Sequence, residues 1–199
     1  KVKRFCQDMG WKREWKPHKI MINIKLDNKL REFAWNQTKI RNMGQRSAGW
    51  NGDRIKQYTG HIGENAVYNL LYGKYKNYDS GSLIEDLVIN DLKCDVKSMI
   101  RKSDLRDPTW VHNYNEYQKD RPNDVLIFVN VNKTDGNIQI CGWIAKTEFF
   151  KKAVFKEKGQ TAQRGNSPNL VYGAGNYEIQ QQFLNEINTL DDIKNIKIN

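Results

Sequence analysis

Residues 86–98 read DLVINDLKCDVKS, two short apolar runs separated by Asn-Asp. A turn-forming dipeptide between two such runs predicts a β-hairpin with a two-residue loop. The register of that hairpin places Asp86 directly opposite Asp95, and Lys97 follows on the same face two residues further on. The stretch therefore predicts two carboxylates side by side with an ammonium group next to them.

Like charges that face each other across a ladder destabilise it unless a positive charge lies between them. Lys97 supplies part of that charge. A divalent cation would do so better, because Mg²⁺ takes oxygen ligands and is usually held by one or two carboxylates. The alternative is a solvated hairpin face with a cross-strand salt bridge.

A third carboxylate comes from the preceding helix, which the pattern predicts from Gly52 or Asp53 to Tyr72, with Gly73 just past its end. Glu64 lies on the apolar stripe of that helix, one turn from Val67. A buried carboxylate needs a cation, a metal ion or a water-filled cleft. The alternative is that Glu64 lies at the edge of the stripe and reaches solvent.

The remaining chain predicts a mixed α/β sandwich. Apolar patterns predict strands at 20–26, 124–131 and 137–145, and helices at 28–43, from 147 onward and, as a short polar helix, at 111–120. Near the C-terminus, Ile179, Phe183, Ile187 and Leu190 follow a helical spacing, which predicts a packing helix and leaves a homodimer contact as an alternative. Cys94 and Cys141 fall in predicted strands and are expected to be structural thiols.

The charge is concentrated at one end of the chain. The sequence holds 33 Lys and Arg against 23 Asp and Glu, a net charge of +10, and 15 basic and 5 acidic residues lie in positions 1–58, which leaves 18 of each elsewhere. Four of the six tryptophans share that segment. Residues 1–51 are therefore expected to form a basic, aromatic-rich arm that contacts nucleic acid; a solubilising tail is the alternative.

Several classes of protein are disfavoured. No run of 18 apolar residues is present, so no membrane partner is expected. The first 16 residues lack the apolar stretch of a signal peptide, which favours the cytoplasm. No paired His spacing supports an HNH-type nuclease through His112.

The ordered set of Glu64 in a helix with the lead-in GHIGE, Asp86 in a strand and Asp95-Val96-Lys97 in the next strand resembles the PD-(D/E)XK, or restriction-endonuclease-like, nuclease superfamily. The resemblance covers roughly residues 52–145, and Glu85 stands where many members have Pro. It implies a nuclease core over residues 52–199 of the αβββαβ type, in which helices flank a mixed central sheet and a helical extension follows at the C-terminus. It also implies a bacterial or phage origin.

The resemblance also implies roles for individual residues. Asp86, Asp95, the main-chain carbonyl of Val96 and Glu64 would hold Mg²⁺, with Mn²⁺ able to substitute, and Lys97 would assist the attacking water. Gln118 and Lys119 would support the site. Residues expected to contact DNA, from the basic arm and from the chain after the catalytic strand, are Arg41, Arg46, Arg54, Ser98, Arg101, Lys102 and Arg106.

The function that these residues imply is metal-dependent hydrolysis of DNA phosphodiester bonds. The basic arm favours a restriction-type or homing-type endonuclease over a Holliday-junction resolvase or another structure-specific nuclease. A catalytically inert nucleic-acid-binding protein is the alternative from another class.

Overall fold

The computed structural model describes residues 21–40, 54–76, 86–102, 109–162 and 170–198. Their longest elements are helices of 19 and 13 residues and three strands of eight or nine residues. The helices are α1 Asn28–Ile40, α2 Arg54–Tyr72, α3 Lys146–Lys152 and α4 Leu190–Lys194. The strands are β1 Ile22–Lys25, β2 Leu87–Ile89, β3 Leu92–Ile100, β4 Val111–Asn115, β5 Val125–Asn132, β6 Asn137–Ala145, β7 Val154–Lys156, β8 Thr161–Ala162, β9 Leu170–Val171 and β10 Asn176–Gln180.

A mixed five-stranded sheet forms the centre of the fold, with strand order β1-β6-β5-β3-β2. Strands β3 and β5 are parallel, whereas the other neighbouring pairs are antiparallel. All eight residues of β5 are buried, which agrees with the near-continuous apolar run of its sequence. The mixed α/β class and the flanking helices are therefore as predicted.

The sheet has an apolar core on each face. Helices α1, α2 and α4 cover one face, where Leu30, Ile62 and Ile193 pack on inward-facing residues of β5 and β6. The second face carries Phe128, and it is covered by α3 and by a three-stranded sheet of order β4-β10-β7. Burial on both faces explains why the central strands lack polar alternation.

The predicted hairpin forms around a tight turn. Ile89 pairs with Leu92, and Asn90 and Asp91 have φ values of 49° and 64°. A type I′ turn requires positive φ at both central positions, and Asn and Asp tolerate that conformation. The register of β3 is therefore fixed locally by the sequence.

Part of the predicted basic arm belongs to this fold. Strand β1 pairs with β6 at the sheet edge, and α1 contributes Leu30 and Ala34 to the first core. Residues 22–40 are thus integral to the domain, although the sequence suggested an arm extending to residue 51. Near the end of α1, Ile40 is 69% exposed, whereas Gln37 and Thr38 are buried.

Two predicted helices are wrong. Residues 111–120 form β4 followed by a 3₁₀ turn at Glu116–Gln118, because alternate residues His112 and Tyr114 face the second core. The C-terminal helical spacing is coincidental. Ile179 lies in β10 and packs in the second core, whereas Ile187 packs in the first.

The remaining predictions concern the two ends of α2, the cysteines and the absence of a membrane-spanning helix. Helix α2 ends at Tyr72, with Gly73 at φ 67° just beyond, as a left-handed C-terminal cap requires. Cys94 and Cys141 are buried free thiols in strands. Asp53 lies outside the described residues. Among the described helices, none combines the length and apolar content needed to span a bilayer.

Candidate active site

Asp86 lies one residue before β2, at the point where the hairpin ladder ends. Its N–H donates to the carbonyl of Cys94 at 3.0 Å, and its Oδ2 accepts the N–H of Val96 at 2.7 Å. The last paired residues of the ladder are Leu87 and Cys94. Asp86 and Asp95 are therefore not a regular cross-strand pair as predicted: the Asp86 side chain itself takes the place of a backbone acceptor and ties the end of the hairpin to β3.

Asp95 and Lys97 form a close ion pair on the second face of the sheet. Lys97 Nζ lies 2.6 Å from Asp95 Oδ1, and the two side chains are 15% and 4% exposed. They share that face because Asp95 is in register with Leu126 and Lys97 with Phe128, both of which line the second core. The other oxygen of Asp95, Oδ2, is buried and has no hydrogen-bond partner among the described residues.

The carboxylates interact electrostatically. Burial, then Glu64, then Asp95 raise the pKa of Asp86 well above its usual range, opposed by Lys97 and by the Val96 N–H. A buried carboxyl beside two others holds its proton more tightly because ionisation adds a third like charge. Glu64, Asp86 and Asp95 therefore form an acidic cluster, whose carboxylates repel one another when they are ionised and no cation is bound.

Glu64 approaches this cluster from α2, which lies against the opposite face of the sheet. Its Oε2 is 3.8 Å from His61 Nδ1, and its side chain is 19% exposed. This partly buried position is consistent with the predicted carboxylate in a cleft. Within the residues that the structure describes, no three His, Cys, Asp or Glu side chains already converge at metal-binding distances.

The close approach of α2 to β3 depends on a glycine. A Cβ added at Gly63 would lie 1.9 Å from Ser98 Oγ and 3.0 Å from Ser98 Cβ. Only a residue without a side chain permits this helix–strand distance at the residue next to Glu64. Gly63 therefore sets how near the helix carboxylate lies to the strand that carries Asp95 and Lys97.

We expect Gly63→Ala to destabilise the domain by about 1–3 kcal/mol, because the added methyl group overpacks the helix–strand contact. Gly60→Ala is the matched control on the same helix, since nothing lies within 4 Å of a Cβ at Gly60. That control should be neutral or stabilising by up to about 1 kcal/mol. Urea denaturation of both variants measures the difference, and equal stabilities would contradict the close-packing role of Gly63.

Two residues that the sequence did not indicate lie beside the ion pair. Lys97 Nζ is 5.1 Å from the ring centroid of Tyr114, and the Tyr114 hydroxyl donates to the carbonyl of Gln118 at 2.5 Å. Lys146 donates to Asn123 Oδ1 at 3.2 Å and also to the carbonyl of Arg121. These residues come from β4 and from the start of α3, so only the tertiary fold brings them together.

The pKa values of Tyr114 and Lys146 depend on their burial and on the nearby Asp95 carboxylate. Burial and then the Asp95 carboxylate raise the pKa of Tyr114, so the phenol is neutral at physiological pH. Burial lowers the pKa of Lys146, while Asp95 acts in the opposite direction. The site thus combines three carboxylates with two lysines and a neutral phenol.

We expect Tyr114→Leu to lower the turnover of the proposed reaction, because it removes the aromatic face that holds the Lys97 ammonium. Tyr114→Phe keeps the ring and loses only the hydroxyl hydrogen bonds, a cost of about 0.5–1.5 kcal/mol in stability. Steady-state kinetics and thermal melts of the two variants separate the effects. Equal turnover in the Leu and Phe variants, with both folded, would show that the ring does not position Lys97.

The predicted supporting residues lie in a different environment from the one expected. Gln118 ends the 3₁₀ turn and accepts the Tyr114 hydroxyl through its carbonyl. Lys119 Nζ lies 5.9 Å from the ring centroid of Phe150 and 6.0 Å from that of Tyr177. Gln118 therefore contacts Tyr114 through its backbone carbonyl, and Lys119 contacts aromatic rings of the second face.

Four of the seven residues predicted to contact DNA lie in the described part of the chain. Ser98 is partly buried against Gly63, and Arg101 donates to the carbonyl of Val111 at 2.7 Å and lies 4.5 Å from the centroid of the Trp110 ring. Lys102 and Arg54 are exposed. Arg41, Arg46 and Arg106 lie outside the described residues.

The residues present fit a hard divalent cation, although they do not form a preorganised cage. Asp95 Oδ2 is a buried carboxylate oxygen that lacks a partner among the described residues, and burial together with the neighbouring carboxylates raises the pKa of Asp86. Carboxylate oxygens of this kind are the ligands that Mg²⁺ and Mn²⁺ prefer. A cation would satisfy the first group and relieve the second.

The fold and site together define a mixed α/β domain with a partly buried acidic cluster paired to lysine. No protein-family model, curated protein or solved structure matches the chain. Function is therefore inferred from the chemistry of Glu64, Asp86, Asp95 and Lys97 in this geometry.

Proposed function

We propose that the protein is a metal-dependent endonuclease that hydrolyses phosphodiester bonds in DNA. The observation that carries the proposal is the buried Asp95–Lys97 ion pair at 2.6 Å, with its unpartnered carboxylate oxygen next to the strained carboxyl of Asp86. A purely structural ion pair gains nothing from additional carboxylates beside it. A site that binds both a metal cation and a phosphate requires carboxylates for the cation and a positively charged side chain for the phosphate.

The arrangement of elements gives further support. Glu64 on a helix, Asp86 at the start of a hairpin and Asp95-Val96-Lys97 on its second strand keep the order that resembles the PD-(D/E)XK superfamily. Strand β5 lies parallel to the lysine-bearing strand, as a crossover connection requires. One departure is that the described part of this connection contains β4 and a 3₁₀ turn rather than an α-helix.

Asp86, Asp95 and Glu64 would hold Mg²⁺ or Mn²⁺, with the carbonyl of Val96 as a further ligand. When bound, the cation supplies a nucleophilic hydroxide near neutral pH and charge stabilisation at the phosphate. The Val96 N–H fixes one oxygen of Asp86, so that its other oxygen can face the cation. Asp95 would offer Oδ2 to the cation while its Oδ1 binds Lys97.

Lys97 would act on the reacting groups directly. Its ammonium is held by Asp95 on one side and the Tyr114 ring on the other, which limits its orientations. In that position the ammonium can neutralise the negative charge that builds on the phosphate, and it can donate a hydrogen bond that orients the attacking water. It could take a proton from that water only after giving up one of its own. Lys146 adds a second positive charge to the same side of the sheet.

A panel of substrates tests the proposal and separates its versions. Supercoiled plasmid, linear duplex, a four-way junction and single-stranded DNA are incubated with Mg²⁺ or Mn²⁺, and with EDTA in parallel. Metal-dependent cleavage of duplex favours a restriction-type or homing-type enzyme, whereas preference for the junction indicates a structure-specific nuclease. Absence of cleavage on every substrate would contradict the proposal and favour an inert nucleic-acid-binding protein.

A further inference from the structure

Basic and aromatic side chains form a patch where α1, α2 and the β5–β6 turn meet. Arg54 lies 6.0 Å from the centroid of the Trp35 ring, and Lys133 Nζ lies 4.9 Å from the centroid of the Tyr58 ring. The two rings contact each other edge to face at 5.6 Å between centroids. Lys39 lies one helical turn beyond Trp35 on the same side of α1.

The patch continues to the end of the strand that carries the site. Asn132, which precedes Lys133, donates through Nδ2 to the carbonyl of Lys102 at 3.4 Å. The N–H of Arg101 donates to the carbonyl of Val131 at 3.3 Å. Lys102 therefore lies beside the turn that carries Lys133.

The patch lies toward the end of the strand that carries the site. Lys102 follows Lys97 by five residues along β3 and its end, which corresponds to at most about 17 Å at the rise of a strand. Helices α1 and α2 cover the sheet face opposite the Asp95–Lys97 pair, so DNA bound at both places would pass around the end of the sheet.

The local charge favours a polyanion. Helix α1 and the first turn of α2 carry five basic residues, Lys29, Arg31, Lys39, Arg54 and Lys56, against the single acidic residue Glu32. Contacts with aromatic faces hold Arg54 and Lys133 in place, which reduces the entropy lost when they bind a phosphate. Lysine and arginine side chains are the groups that most often contact phosphates, and such contacts position a protein on DNA without carrying sequence information.

We infer that this patch, formed by Lys39, Arg54, Lys102 and Lys133 around Trp35 and Tyr58, binds the phosphate backbone of DNA without reading its sequence. The inference takes the identity of the polyanion from the proposed function. The patch would fix the position of the DNA, whereas cleavage would depend on the separate acidic cluster.

The test measures binding in EDTA, where cleavage does not occur. The affinity of a labelled duplex is determined by fluorescence anisotropy over a series of KCl concentrations, for wild type and for Lys39→Gln/Arg54→Gln/Lys102→Gln. Log affinity falls with log salt by about 0.9 per phosphate contacted. The triple variant should therefore reduce the slope by about 2–3 and weaken binding at least about tenfold at moderate salt.

A matched triple variant, Lys152→Gln/Lys158→Gln/Lys197→Gln, removes the same charge from exposed positions away from the patch. It should change the slope by less than about 1. The charge-retaining variant Lys39→Arg/Arg54→Lys/Lys102→Arg should bind like wild type, which excludes misfolding as the cause of any loss.

Equal losses in the two Gln triples would overturn the inference, because net charge alone would then explain binding. An unchanged slope in the patch variant would overturn it as well, and so would equal competition by poly-glutamate at the same charge concentration. These outcomes differ from failure of the nuclease proposal. A protein that binds DNA through the patch but cuts no substrate contradicts the proposed function and leaves this inference standing.

Discussion

Lys97→Met abolishes metal-dependent DNA cleavage, with an expected loss of about 10³-fold or more. The ammonium of Lys97 is the positive group held directly against Asp95, and methionine fills nearly the same volume without charge. Methionine can neither neutralise phosphate charge nor donate a hydrogen bond to the attacking water at this position. Plasmid nicking rates measured under single-turnover conditions test the expectation.

The stability of that variant has to be separated from its activity. Removing one partner of a buried ion pair costs about 3–5 kcal/mol, because Asp95, at 4% exposure, is left without its cation. Replacing both charges, as in Asp95→Asn/Lys97→Met, avoids the uncompensated charge and should restore most of the stability. The double variant should stay inactive, and Lys97→Arg should stay folded with reduced activity. Wild-type cleavage by folded Lys97→Met would remove Lys97 from the mechanism.

Asp86→Asn stabilises the metal-free protein at neutral pH. The pKa of Asp86 is raised in the folded state by burial, Glu64 and Asp95, so the folded protein favours the protonated form. Stability linked to this group is therefore fully present below the unfolded pKa of about 3.9 and is lost as pH rises through the raised folded-state value. Asparagine imitates the protonated carboxyl and keeps an oxygen for the Val96 N–H.

The gain should appear at neutral pH and disappear in acid. Each 1 kcal/mol of relieved repulsion corresponds to a rise in Tm of about 2–4 °C for a domain of this size. We expect Mn²⁺ to raise the Tm of the wild type, and the same variant should lose that rise because it lacks a carboxylate ligand. Asp191→Asn, at an exposed position on α4, removes the same charge and should change neither quantity. A lower Tm for Asp86→Asn in EDTA would contradict the strained acidic cluster.

The sequence predicted the elements whose signals are local. The hairpin follows from a turn dipeptide with tolerated positive φ, and β5 follows from a continuous apolar run. The position of Asp86 was predicted only approximately, because periodicity cannot show that the ladder ends at Leu87. Its side chain competes for the Val96 N–H at that point, and this contact depends on the local path of the chain.

The elements that were missed depend on distant pairing. Strand β4 has a polar sequence and is buried because it pairs with β10, more than 60 residues further along the chain. His112 is tolerated there because its ring contacts Gln181 at 2.7 Å, and burial lowers the pKa of His112 to about 3, so it stays neutral. Tyr114 reaches Lys97 through the same strand. Contacts of this kind leave no periodic signal in a single sequence.

Whether Asp95 and Lys97 belong to a nuclease site is tested most simply by cleavage of supercoiled plasmid. The purified protein is incubated with Mg²⁺ or Mn²⁺, with EDTA and the Asp95→Asn/Lys97→Met variant alongside. We expect nicked and linear products with the wild type and metal, and none in EDTA or with the folded double variant. Equal cleavage by the double variant, or cleavage that persists in EDTA, would contradict the assignment of this acidic cluster and lysine as the nuclease site.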